Sequence, residues 1–270
     1  MGTMATVLVL SAWLVLYWTV LSVAVASHSQ ASLYSAFREQ LASATAPVDG
    51  SVDRGAPVAL LSIPGAGVQD LVVVEGTTSG DLMSGPGHRP DSSLLGQAGV
   101  SLIYGRQMAF GGPFASIGSL TPGSDIEVTT GQGQFTYRVI GIRHVGDRFP
   151  PALASGQGRL TLVTATGSDR WRSMTPSSVL YVDANLVTKA QPRAARPAGV
   201  AASEQPMGRD LTQLPLVLLW LQALLIAALG AIWAWFRWGR RQAWLIGGIV
   251  VLTALWGLSG ALSHLLPNLL

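Results

Sequence analysis

The chain has no cysteine, and this limits its chemistry before any other feature does. Without a thiol there is no disulfide, no Cys-ligated metal or iron–sulfur cluster, and no thiolate nucleophile. The four histidines, His28, His88, His144 and His264, are scattered and have no paired carboxylates beside them, so no metal site is recognisable. No cofactor is expected. A histidine can move protons, but without a nucleophile to activate, proton transfer accomplishes nothing.

The elements that would carry any site divide into two kinds. Hydrophobic residues make up 49% of the 270 positions and charged residues 11%, with mean hydropathy +0.40, too apolar for an ordinary soluble domain. The 31 glycines and 15 prolines interrupt the chain too often for a pure helical bundle. All 14 acidic residues and 14 of the 17 basic ones fall between Ser27 and Gln213, so that stretch is neutral. The net charge of +3 comes from Arg237, Arg240 and Arg241 alone. The pI near 9.7 therefore does not describe a basic face, and nucleic acid is excluded as a partner.

Residues Met4 to Ala26 carry no charge over about 23 positions, roughly 34 Å as a helix, enough to cross the hydrocarbon of a bilayer. A transmembrane anchor over 1–27 is expected. A cleaved signal peptide is the competing reading: Ala24-Val25-Ala26 favours it, while the missing basic n-region and the long apolar run oppose it. Two more spans, 214–236 and 243–266, flank a basic loop at 237–242. The positive-inside tendency puts that loop in the cytoplasm and residues 28–213 outside. Trp233, Trp235, Trp238 and Trp244 cluster around the loop at headgroup level, and of the nine tryptophans only Trp171 lies in the external region. Ala223, Ala227 and Ala231, with Gly257 and Ala261, have the spacing of closely packed helices, which fits self-packing of the hairpin or docking onto another membrane protein. Gln222 needs a hydrogen-bond partner inside its span.

Outside the membrane, 28–56 reads as a stem with a short amphipathic helix, from Leu33, Tyr34, Phe37 and Leu41. From Val58 to Val187 short β-rich runs alternate with Gly, Pro and Asp: Val58–Ile63, Leu71–Glu75, Val100–Tyr104, Ile126–Thr130, Phe135–His144, Leu160–Thr164 and Val179–Asp183. Seven or eight strands predict a mainly β barrel or sandwich over 57–188. Residues 189–213, with Pro192, Pro197 and Pro206, read as an extended tether returning to the membrane.

Taken in order, these strands resemble the sortase family, most closely the class E type, over about 130 residues. Ser62-Ile63-Pro64 and Leu71-Val72-Val73-Val74-Glu75-Gly76 look like the family's opening strands, and Gly85-Pro86-Gly87-His88 like its "GPGH" loop. Gly99 to Gln107 and Gly111-Gly112-Pro113-Phe114 stand where the family has its "AGHR…GAPF" segment. Asp125 to Val128 and Phe135 to Val139 match the next two strands, and Leu160-Thr161-Leu162-Val163-Thr164-Ala165 stands in place of "LTLVTC". The resemblance implies a closed β-barrel ectodomain beside the three membrane helices.

Sortases are similar, membrane-tethered extracellular cysteine transpeptidases, in which a Cys attacks a peptide carbonyl, a His handles protons and an Arg holds the substrate and oxyanion. By the resemblance the His position is Arg106, the Cys position Ala165, and the Arg position Ser178 or Val179. A methyl group cannot form an acyl-enzyme. An engineered trap would explain Ala165 alone, and a slipped alignment could relocate the His, as Gly87-His88-Arg89, but neither restores a Cys. His88 matches the loop histidine and is expected to be structural, or at most to border the groove. Thr164, Thr166 and Ser168 offer hydroxyls near the vacant position, but Arg106 is permanently protonated and is no base.

Sortase substrates lie extended beside the strands that carry the Cys and Arg, so the corresponding floor here, with Arg106, Thr164, Ala165, Thr166 and His88 as candidate groove residues, is expected to outlive catalysis. The chain thus reads as a non-catalytic, multi-pass envelope protein that binds a peptide, a partner protein or a cell-wall component. Two other readings are an ectodomain scaffold assembled with another membrane protein through 214–266, and a transpeptidase or hydrolase with a non-cysteine site. Sixteen arginines against one lysine, with abundant Ala and Gly, fit a GC-rich Gram-positive source.

Overall fold

The computed structural model describes residues 3–166, 178–238 and 240–270, the side chains of residues 3–7, 238 and 240–245 excepted. From Thr3 the chain is helical without interruption: α1 (Thr3–Leu16), a π-helical turn (Tyr17–Leu21) and α2 (Ser22–Ala42). The anchor and the stem helix expected as separate elements are one. The reason is local, because the polar run Ser27-His28-Ser29-Gln30 holds neither Gly nor Pro and leaves the hydrogen-bond ladder intact. α2 packs on the first two strands of the barrel, where Phe37 is fully buried.

Eight strands among the described residues close a barrel: β1 (Pro57–Ile63), β2 (Val68–Glu75), β3 (Gly87–His88), β4 (Gly99–Tyr104), β5 (Asp125–Thr130), β6 (Gly133–His144), β7 (Gly158–Thr166) and β8 (Ser178–Leu186). Around the barrel they run β1-β2-β3-β4-β7-β8-β6-β5, with β5 returning to β1. The β2–β3 and β4–β7 pairs are parallel and the others antiparallel. All seven β-rich runs of the sequence are strands. The eighth, β3, has two residues and is too short to leave a periodic signature.

Alternation along the strands sorts side chains to two faces. Leu61, Ile63, Ile103, Ile126, Val128, Phe135, Tyr137, Leu160, Leu162, Val182 and Ala184 fill the interior, where each is at most 4% exposed. Tyr104, Val163, Ala165 and Val179 form a second cluster on the outer face of β4, β7 and β8. Because β3 pairs only Val74 and Glu75, the backbone of Val72 has no strand partner on that side, and Gln30 of α2 supplies one: its Oε1 accepts from Val72 N at 2.8 Å and its Nε2 donates to Val72 O at 3.1 Å and Ser84 O at 2.7 Å. The long N-terminal helix thus completes the sheet edge.

Residues 189–213 are not a free tether. Gln191 donates to Gly96 O at 2.8 Å and accepts from Ala98 N at 2.9 Å, and Arg196 reaches Pro90 O at 2.9 Å, Gly50 O at 3.0 Å and the Glu75 carboxylate. Glu204 is buried and ion-paired to Arg54 at 2.9 Å, and its carbonyl accepts from Thr77 Oγ1 at 2.9 Å. The segment is a strap along the barrel. Proline content gave it an extended backbone but carried no information about where its arginine and glutamate would bind.

Among the described residues three helices are long and apolar enough to cross a membrane: Leu8–Ala42, Leu211–Arg237 and Ile246–Ser263. The last two belong to α3 (Leu214–Trp238) and α4 (Arg240–Ser263), which pack closely together. The Trp220 ring lies over Gly257, and Ala231 against Gly247, so small residues of the hairpin meet one another. α1 and its continuation join α4 through Trp13 Nε1 to Ser259 Oγ and Trp18 Nε1 to Ser263 Oγ, both 3.0 Å, and an edge-on contact of Tyr17 with Trp256. The side chains of Trp238 and Trp244, and all of Ser168 and Trp171, lie outside the described residues.

One interior contact is testable by pH. Tyr137 Oη accepts from Gly96 N at 2.7 Å, and burial pushes its phenol up to about 12. A phenol raised by folding keeps its contribution below the unfolded value near 10 and loses it as pH rises through the folded one. Tyr137→Phe is expected to cost about 1–3 kcal/mol at neutral pH, from the orphaned Gly96 N–H, and to weaken the loss of stability between about pH 10 and 12. Thermal unfolding of the detergent-solubilised chain across that range reads both effects.

Candidate functional site

The residues singled out in sequence meet where β4, β7 and β8 run side by side. Thr164, Ala165 and Thr166 end β7, and the antiparallel ladder sets Ala165 directly opposite Val179 and Thr166 opposite Ser178. Alternation then divides them. Thr164 is buried and its Oγ1 donates to Gly105 O at 2.9 Å, so this hydroxyl fastens β7 to the segment after β4. Ala165 and Val179 face outward with Tyr104, Val163, Leu82 and Leu269.

Arg106, two residues beyond β4, is fully buried. Its fork points into its own chain: Nε donates to Leu82 O at 3.2 Å, Nη1 to Leu270 O at 3.2 Å, and Nη2 to Ser79 O at 2.8 Å and Ser79 Oγ at 2.7 Å. The Phe110 ring lies 5.1 Å from the guanidinium carbon. Burial lowers the pKa of the group to about 9, which leaves it protonated at neutral pH. Backbone oxygens, the Ser79 hydroxyl and a ring face surround its charge, and no Asp or Glu side chain pairs with it among the described residues. The guanidinium expected to meet a ligand is thus committed to the fold.

The segment after α4 supplies part of that enclosure. Leu269 is fully buried in the cluster that contains Ala165, and Gln107 N donates to Leu269 O at 3.2 Å. Asn268 donates from Nδ2 to Ser203 O and Gln205 O, both at 2.7 Å, and from its backbone N to Gly208 O at 3.2 Å. Burying one leucine side chain contributes about 1.5–3 kcal/mol. Leu269 therefore shares one buried apolar cluster with Ala165 on the outer face of β7, although in sequence it reads simply as the end of a membrane span.

Beside this cover a cleft of ≈ 440 Å³ remains, lined by Gln107, Phe114, Ser116, Ser119, Ile142, His144, Thr164, Ala165 and Thr166 among others. His144, treated as incidental in the sequence, lies at the end of β6 in this lining, 3.7 Å from Asp147. No spacing motif ties it to β7; only the β6–β8–β7 order does. His88 lies elsewhere. It is fully buried, with Nδ1 2.8 Å from Glu75 Oε2 and Nε2 2.9 Å from Ser93 O and 3.1 Å from Ser92 Oγ. Glu75 in turn receives Arg196, so His88 joins β2, β3 and the strap, away from the cleft lining.

Among the described residues no group of three or more His, Asp or Glu could hold a metal ion. Residues 61–187 match the family described as Sortase domain. Over these residues the chain is similar to the sortase family. Similar solved structures include a Sortase D5 transpeptidase of Clostridium perfringens (22% identity, 61% of this chain and 99% of that one, TM-score 0.48). Others are Sortase A of Corynebacterium diphtheriae (22%, 59% and 84%, 0.43) and the SrtA sortase of Actinomyces oris (23%, 57% and 96%, 0.44). No curated protein matches the chain. The barrel holds Arg106 and Ala165 near one another, the first buried among backbone oxygens and the second in the apolar cluster with Leu269 and at the edge of the cleft.

Arg106→Ala would strip donors from Ser79, Leu82 and Leu270 and open a void, at a cost of about 2–4 kcal/mol. Arg106→Lys keeps a charge without the fork and is expected to fall between the two. Thermal unfolding of the three chains in detergent gives the order.

Proposed function

We propose that this protein is a non-catalytic, class E-like sortase of the bacterial cell envelope, with residues 28–213 outside a membrane that it crosses three times. Its barrel holds a short peptide segment of a partner. The observation that carries this reading is the site wall itself: Ala165, which the resemblance aligns with the family's cysteine, ends β7 beside an accessible cleft in a chain that contains no cysteine. A cleft without the family's thiol can retain a peptide but has no sulfur with which to form the acyl-enzyme.

The non-cysteine alternative finds no support at Thr164 or Arg106. Thr164 is buried and its hydroxyl is donated to Gly105 O. Arg106, which stays protonated at neutral pH, supplies no base. The scaffold reading draws on Gln222, which is exposed on α3 and has no hydrogen-bond partner among the described residues, as a polar side chain reserved for another helix would be. Gln222→Leu should then release a co-purifying membrane protein without altering the barrel.

Incubating the full chain in detergent with a labelled sorting-signal peptide and an amine acceptor tests the principal reading. No covalent adduct by intact-mass analysis and no time-dependent product are expected. An adduct lost on changing Thr166, the cleft-lining hydroxyl, would overturn it.

A further inference from the structure

We infer that residues Leu265–Leu270 act as an intramolecular ligand of the site, covering Ala165 in place of a partner's peptide and yielding it when α4 shifts. The inference rests on the peptide-binding reading above and adds what controls access to it. The segment is held as a bound peptide is held, by one anchored side chain and its own main chain. Leu269 is inserted among Leu82, Tyr104, Val163, Ala165 and Val179. Its carbonyl accepts from Gln107 N, and the next carbonyl, of Leu270, from Arg106. On the other side Asn268 is clasped by the strap at Ser203, Gln205 and Gly208.

Two features make this an exchangeable cover. First, the fit is imperfect: Gln107 Oε1, beside the segment, and Asn268 Oδ1, within it, are buried without a hydrogen-bond partner among the described residues. A competing peptide that supplied a donor to Gln107 Oε1 would gain where the segment does not. Second, the segment continues directly from α4, whose last residue also contacts the barrel, since Ser79 Oγ donates to Ser263 O at 2.7 Å. Ser79 is the residue that accepts from Arg106 Nη2. A displacement of α4 against the barrel therefore pulls on the segment and on the Arg106 cage together. The ligand class follows from the groove: a short peptide with one apolar side chain for the Leu269 site and free carbonyls for Gln107 N and Arg106.

The absence of cysteine makes the test clean. In the full chain, Ala165→Cys should react slowly with a membrane-impermeant maleimide, and adding Leu269→Asp should speed labelling at least about tenfold by expelling the segment. Asn268→Ala, which loosens the strap contact alone, should give a smaller increase. Ser101→Cys, at a buried site in the barrel, reports folding: continued protection in the Leu269→Asp background shows that the barrel is intact. A fluorescent peptide of the segment's own sequence, Leu-Leu-Pro-Asn-Leu-Leu with added lysines, should bind the Leu269→Asp chain and not the wild type. Equal labelling of position 165 with and without Leu269→Asp overturns the inference, as does equal peptide binding, which would leave the binding role standing. Faster labelling with no peptide bound by either chain removes the peptide-binding role, and with it the view of the segment as a ligand.

Discussion

The structure turns on a single buried cation. Among the described residues Arg106 pairs with no Asp or Glu side chain; it is stabilised by backbone oxygens of Ser79, Leu82 and Leu270, by the Ser79 hydroxyl and by the Phe110 ring. A guanidinium costs too much to bury unless most of its donors are used. Three segments that are distant in sequence must therefore converge on it: the turn after β2, the end of β4 and the residues after α4. The convergence closes the outer face of β7 and brings the membrane hairpin onto the barrel.

That constraint also separates what a catalytic wall needs from what this wall provides. An imidazole exchanges a proton near neutral pH, whereas this guanidinium is enclosed and stays charged. Arg106 and Ala165 both lie in packed surroundings, and the cleft beside them is bordered by His144, Ser116 and Ser119.

Much of this was legible in the sequence. The seven β-rich runs, the three membrane spans and the sortase resemblance rest on periodicity, length and ordered motifs, which act over short stretches. The rest depended on long-range partners. Nothing around Arg196 marks Glu75 as its destination, and nothing around Leu269 distinguishes a lipid-facing leucine from one that caps Ala165. His88 and Arg106 show the same limit from the other side. Each was correctly seen as a polar residue in a motif, but its burial and the oxygens it binds are properties of the assembled barrel. The continuous helix from Thr3 to Ala42 was missed because a change from apolar to polar composition looks like a boundary even where the backbone has no reason to break.

That helix has a mechanical consequence. A domain on a flexible leash sweeps a volume and can reach ligands well above the bilayer. Here the barrel is bolted to a helix through Gln30 and Phe37 and held again by the strap and the α4 end. At about 1.5 Å of rise per residue, the helix sets a fixed distance between its apolar start and the barrel. In a bilayer, which its length and composition would allow it to cross, the barrel would therefore stand at one height.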